Sequence, residues 1–321
     1  MTQLTSPSPS LARRVWNWFP QSVTRSVRVL AWLSLILQVV LIGTGGAVRL
    51  TASGLGCPTW PTCTAGSLVN TPQLGIHGVI EFSNRMLTVV LSIVVILVFL
   101  SVLRMRKSRR DLFWLTLVQG LSIPFQAVLG GITVLSHLNP YVVGLHFVVS
   151  VVLVALTTTL VFRAQFGPRG ASRAVPAWFA TGVWITAVFV AITVVFGILT
   201  TGSGPHAGDN SNAKALAPRN GLDPVTIQHV HSIPAYITFG LTVLLVIAAW
   251  RFADGAGKSR RLRLFVALLF LVEVAQIIVG VTQADEGLPV VLVNIHLVLA
   301  GLLVAAMTAV VLSLRTAQPS A

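Results

Sequence analysis

The 321-residue chain is poor in charge. Asp, Glu, Lys and Arg make up only 9% of it, and just 8 residues are acidic. Soluble domains usually carry about 25% charged residues. With 55% hydrophobic residues and a mean hydropathy of +0.85, too little polar surface remains to cover a water-soluble fold. A soluble domain is thereby excluded, and hydrocarbon is the expected solvent for most of the chain. Cysteine is nearly absent too. The only two, Cys57 and Cys63, are separated by five residues, which argues against a CxxC thiol-exchange motif or a metal site. No HxxxH or HxxE spacing occurs, which argues against zinc. No small-residue cleavage pattern follows the first hydrophobic run, so no cleavable signal peptide is expected.

What is present is a series of apolar runs. A spanning helix needs roughly 20 apolar residues, and eight runs qualify: about 29–48, 76–103, 112–135, 141–163, 177–201, 226–250, 262–284 and 289–314. The fold class read from them is an all-α integral membrane protein of two tandem, pseudo-symmetric four-helix bundles. The expected organisation is a cytoplasmic tail over 1–28, a first half over 29–163 and a linker over 164–176. A second half over 177–314 and a tail over 315–321 complete it.

The net charge of +14 would suit nucleic acid, but its distribution argues for topology instead. With the N-terminus placed in the cytoplasm, 18 of the 22 basic residues fall in cytoplasmic segments. Among them are Arg13, Arg14, Arg106, Lys107, Arg110 and Arg261. Outer loops hold only Arg49, Lys214 and Arg219, while Arg85 lies within a span. This bias predicts both termini inside the cell membrane, membrane lipid as surroundings and no nucleic-acid partner.

The halves repeat each other. Gln126–Gly130–His146 recurs as Gln276–Gly280–His296 with the same spacing, and Pro140 and Pro289 each precede the His by six or seven residues. In spans two and six, Glu81-Phe-Ser-Asn84-Arg85 matches Gln228-His-Val-His231-Ser232. Four spans per half keep the repeats parallel.

Ionisable groups inside a bilayer are costly and usually functional. His146, His231 and His296 fall at similar depth, roughly 8–11 Å below the outer helix ends at ~1.5 Å per residue. Two such His on facing helices suit the two axial positions of a haem iron. His231 and His296 would pair in the second half. His146 would face Asn84, a poor ligand, which leaves an open position. His229 should face another side than His231, and His137 and His206 fall in or near outer loops. His77, Glu81 and Asn84 share a helical face. Glu81 reads either as an ion pair with Arg85 or as a proton-handling carboxylate beside a haem pocket. The oxidising outer side favours a Cys57–Cys63 disulfide, with a redox-active pair as the alternative. Gly43, Gly45, Gly46, Gly130 and Gly131 permit either close helix packing or a flat macrocycle.

These motifs resemble the haem A synthase family (CtaA), mitochondrial relatives included, across residues 29–314. The resemblance rests on GCPTWPTC, EFSNR, the repeated Gln…Gly…Pro…His pattern and TGSGPHAGD. It implies oxidation of a ring methyl of haem O to the formyl group of haem A. It also implies resident haem b on His231 and His296, and a substrate pocket of His146, Asn84, Glu81, Arg85 and His77. Glu81 matches the family's span-two carboxylate, and Cys57 and Cys63 its outer-loop pair. Many members carry His where this chain has Asn84, and Arg where it has Ser232. Implied partners are haem O synthase, terminal oxidase assembly and an electron donor that no residue identifies. The competing readings are a dihaem b-type electron-transfer cytochrome and a transporter.

Overall fold

A computed structural model describes residues 17–208, 217–252 and 258–317. Arg13, Arg14, Lys214 and the Asp209 end of the TGSGPHAGD motif lie outside the described residues. Among the described residues, eight helices are long and apolar enough to cross a membrane. They are α1 Arg25–Leu50, α2 Gly75–Val102, α3 Arg110–Leu135, α4 Pro140–Phe166, α5 Ala177–Ser203, α6 Pro224–Phe252, α7 Lys258–Asp285 and α8 Val290–Ser313. Each expected span falls within one of them or differs from it by a residue or two.

Local chemistry sets several helix starts. Thr24 accepts a hydrogen bond from Val27 N–H at the head of α1. At α4, Asn139 accepts from Tyr141 N–H while Pro140 supplies a helical φ. The turns before α4 and α8 share one device. Leu138 and Leu288 both adopt positive φ, at 60° and 64°. Each donates its N–H back into the preceding helix, to Thr133 and Gln283 respectively. Both pairs are related by the same sequence offset as His146 and His296, so the repeat extends to backbone geometry.

Helix contacts form two closed circuits, α1–α2–α3–α4 and α5–α6–α7–α8. The circuits meet through α1–α8, α4–α8 and α4–α5. Two apolar cores correspond to them: one around Val27, Val98, Leu112 and Val154, the other around Val183, Leu245, Leu269 and Val310. Gly46 and Gly301 let α1 and α8 approach closely, since a Cβ at Gly301 would meet Ile42 at 2.9 Å.

The linker and C-terminal segment are not purely helical connections. Arg169–Arg173 (β1) pairs antiparallel with Arg315–Ala317 (β2), and Ala174 N–H donates to Leu314 C=O. Satisfying backbone groups between two adjacent non-helical segments accounts for this small departure from an all-α chain.

On the opposite end of the helices the two long loops interlock. Gly54 N–H donates to Gly208 C=O at 2.8 Å. Arg49 at the end of α1 donates to the carbonyls of His206 and Thr201. His206 Nε2 in turn donates to Leu288 C=O at 2.9 Å. Leu138, Ala207 and Ala217 seal a small apolar cluster beneath.

Candidate functional site

Three imidazoles adopt one recurring arrangement. Each His sits against a glycine of the preceding helix, where an added Cβ would be in contact with the ring. A Cβ added at Gly130 of α3 would lie 3.4 Å from His146 Cε1 on α4. At Gly197 of α5 it would lie 3.0 Å from His231 on α6, and at Gly280 of α7, 3.1 Å from His296 on α8. The Gln–Gly–His repeat is thus a ring cradle built twice, and α5–α6 builds a third.

In the second half the structure brings two of these rings together. The centroids of His231 and His296 are 6.4 Å apart, with ring planes at 81°. An iron held axially about 2 Å from each imidazole nitrogen requires ring centres roughly 6 Å apart. Both Nδ1 atoms are buried without a hydrogen-bond partner, as are Gln276 Oε1 and Asn294 Oδ1. Buried polar atoms are seldom left unpaired, so an interior with this many orphaned groups suits an unshown occupant. The residues present fit a bis-imidazole haem.

The first half departs from this plan at Asn84, the sequence counterpart of His231. Asn84 of α2 accepts a 2.7 Å hydrogen bond from Thr44 Oγ1 of α1. Its carboxamide oxygen is thereby engaged with protein. His146 keeps an orphaned, buried Nδ1 like its counterparts. Its helical turn is held more firmly, however. Gln126 Nε2 donates to Ser150 Oγ at 2.9 Å, and Ser150 Oγ–H donates to His146 C=O at 2.8 Å. Position 300, the counterpart of Ser150, is Ala, so the second half cannot form this clamp.

Glu81 lies one helical turn outward of Asn84 and is buried. Its Oε2 accepts the Cys57 N–H at 2.7 Å, and its Oε1 pairs with Arg85 at 2.5 Å. Arg85 donates in addition to the carbonyls of Cys57, Thr59 and Thr62. Cys57 and Cys63 form a disulfide and both are fully buried. The ion-pair reading of Glu81 is therefore met, and the pair grips the disulfide loop. Trp60 at the loop tip rests on Gly131 of α3, where a Cβ would overlap the indole.

The remaining candidates are dispersed. His77 is exposed and hydrogen-bonds Ser53 Oγ at 2.9 Å through Nδ1. His229 is exposed and bonded to Val225 C=O, on another side of α6 from His231. His137 occupies the positive-φ turn before α4. Gly43 packs against Val298, and Gly45 meets nothing within 4 Å. Among the described residues no group of three or more His, Cys, Asp or Glu could hold a metal ion.

Sequence reasoning passed over Thr44, Ser150 and the Glu273–Thr242 pair. Thr44 sits between Gly43 and Gly45, and Ser150 follows His146 by four residues, one helical turn; these were the available signals. Glu273 Oε1 accepts from Thr242 Oγ1 at 2.9 Å in the buried interior of the second half, and its other oxygen has no partner.

The family model described as Cytochrome oxidase assembly protein, COX15-CtaA, matches residues 28–308. The Heme A synthase of Listeria welshimeri is 26% identical over 289 residues, spanning 88% of this chain and 91% of that protein. The Heme A synthase of Listeria monocytogenes is 25% identical over the same spans. That of Staphylococcus epidermidis is 25% identical over 287 residues, covering 84% and 88% of the two chains.

Proposed function

This chain belongs to the Cytochrome oxidase assembly protein family, COX15-CtaA, and from that membership we propose that it is a haem A synthase. It is a multi-pass oxidoreductase of the cell membrane, with both termini in the cytoplasm and two tandem four-helix bundles. Its substrate is haem O, whose C8 methyl becomes the formyl group of haem A for terminal oxidase assembly. The similarity to proteins named Heme A synthase over most of the chain supports this reading.

The observation that carries it is the inequality of the halves. In the second, His231 and His296 stand at a separation suited to both axial positions of a resident haem b. Bound there, that haem supplies one-electron transfer. In the first, His146 offers one ring, while Asn84 is turned to Thr44. One strong ligand and one weak neighbour leave a face of the substrate open to oxygen chemistry. An electron-transfer cytochrome would need closed ligation in both halves.

The chain's own groups then divide the work. The Gln126–Ser150 clamp fixes the turn that presents His146. Glu81 takes or gives the protons that accompany conversion of a methyl, through a hydroxymethyl group, to a formyl. Arg85 orients that carboxylate, and the disulfide loop covers it from the outer side and keeps water from it.

The test is haem extraction from protein purified with a haem O source, separated by HPLC and identified by pyridine haemochrome spectra. Haem A or its hydroxymethyl precursor, lost in Glu81→Ala while haem b is retained, is the expected result. Two equivalents of haem b with no oxidised product would replace this reading with the dihaem cytochrome. Absence of any haem would remove both.

A further inference from the structure

Away from the haem-binding candidates, at the ends of α2 and α3, the chain makes a sharp turn between two spanning segments that end at Met105 and restart at Arg110. A cleft of about 330 Å³ opens there, lined by Arg106, Lys107, Arg110, Phe113 and Trp114. The three cations make no ion pair or hydrogen bond among the described residues. The neighbouring carboxylate, Asp111, is already taken by Nε and Nη2 of Arg109. No side chain caps the start of α3, whose first residue, Arg110, lines the cleft.

Three unpaired cations beside an uncapped helix start call for an anion. The apolar wall says what else the ligand carries. Trp114 lies one turn into the spanning part of α3, is 59% exposed and packs edge-on against Phe113. A polar-tipped aromatic at the end of a span marks the membrane–water boundary. A cleft that is cationic toward water and aromatic toward hydrocarbon matches a molecule with a phosphate at one end and acyl chains at the other.

We propose that this cleft is a binding site for one anionic phospholipid. Its phosphate is held by Arg106, Lys107 and Arg110, and its glycerol and upper acyl chains lie on Phe113 and Trp114. A free phosphate shares the headgroup chemistry but has nothing to place on the aromatic wall.

The test reconstitutes the full chain in nanodiscs of phosphatidylcholine with a minor fraction of phosphatidylglycerol and counts retained lipid by native mass spectrometry. Wild type is expected to keep one more phosphatidylglycerol than Arg106→Gln/Lys107→Gln/Arg110→Gln. Each cation removed singly should weaken relative affinity about fivefold, the factor one basic residue is worth near an anionic membrane surface. Equal retention by wild type and the single Lys107→Gln and Arg110→Gln variants would overturn the site.

A second measurement needs no change to the cations. Fluorescence quenching by brominated phosphatidylglycerol and brominated phosphatidylcholine is compared, with Trp114→Phe subtracted to isolate Trp114. Stronger quenching by the anionic lipid supports the proposal, and equal quenching overturns it. If millimolar inorganic phosphate displaces the retained lipid completely, the cleft takes a soluble phosphate and the lipid assignment fails.

Discussion

The two halves share a ring cradle, a positive-φ turn and a four-helix circuit, yet they use these parts to opposite ends. The second half brings two imidazoles together across its interior, their planes nearly perpendicular, at a spacing suited to closed coordination. The first keeps one imidazole, exchanges the other for Asn84 and ties that residue to α1 through Thr44. It then adds what the second half lacks: a disulfide loop gripped by a buried Glu81–Arg85 pair, and a Gln126–Ser150 clamp on the turn of its single His. The halves share one scaffold, and the Asn84–Thr44 contact, the gripped disulfide loop and the Gln126–Ser150 clamp together make their interiors different.

The sharpest way to break this contrast is to remove a ligand from the paired side. His296→Ala should abolish retention of haem b, since one imidazole cannot close both axial positions; the pyridine haemochrome of purified protein reads this directly. Retention at the wild-type level would refute the pairing. Next is Glu81→Gln, which keeps the hydrogen-bond acceptor for Cys57 N–H but removes the charge. Product formation should fall about 10²–10⁴-fold, the range for loss of a general acid–base group, with haem b content unchanged.

Asn84→His would erase the difference from the other direction. It should add a second low-spin, bis-imidazole haem to the spectrum and slow product formation by about tenfold or more, because the open face is then occupied. An unchanged spectrum would show that Thr44 and the helix geometry, not the residue type, keep that face open. Ser150→Ala tests the clamp. Losing the two hydrogen bonds of Ser150 Oγ should cost about 1–2 kcal/mol of stability, visible as a lowered melting temperature, whereas Ala300→Ser in the second half should leave it nearly unchanged.

The smallest expected effect concerns the start of α6, the helix that carries His231. Asp223 is exposed, and the Thr226 N–H it accepts holds its carboxyl below the ordinary value of 3.8. Because the folded value is the lower one, the cap stabilises above the unfolded value and is lost as pH falls through the folded one. Asp223→Asn should therefore flatten the acid limb of a melting-temperature profile slightly, with little change near neutral pH.

Much of this was legible in one dimension. Eight spans follow from hydropathy because a bilayer demands internally satisfied, apolar helices of fixed length. The repeated Gln…Gly…His pattern is legible because ring and glycine cradle recur at constant spacing on adjacent helices. The cysteine pair and its disulfide were expected from position outside the membrane, and the structure contains that disulfide. The haem A synthase resemblance foreshadowed the family to which the chain belongs.

Tertiary structure decided the rest, because helix rotation and loop path are not written in local spacing. Thr44 and Asn84 lie 40 residues apart, and Cys57 N–H and Glu81 lie 24 apart. Neither pairing follows from periodicity, which places a residue on a face but not against a partner. His77 shares a helical face with Glu81, but the inward fold of the first loop turns it to Ser53. The sequence by itself determined how many helices form and which of them bear imidazoles. The pairing of His231 with His296 was legible too; only the packed bundle decided their separation and ring angle, and the contacts of Asn84 with Thr44 and of Glu81 with Cys57 N–H, since those depend on how helix faces and loops turn toward each other in space.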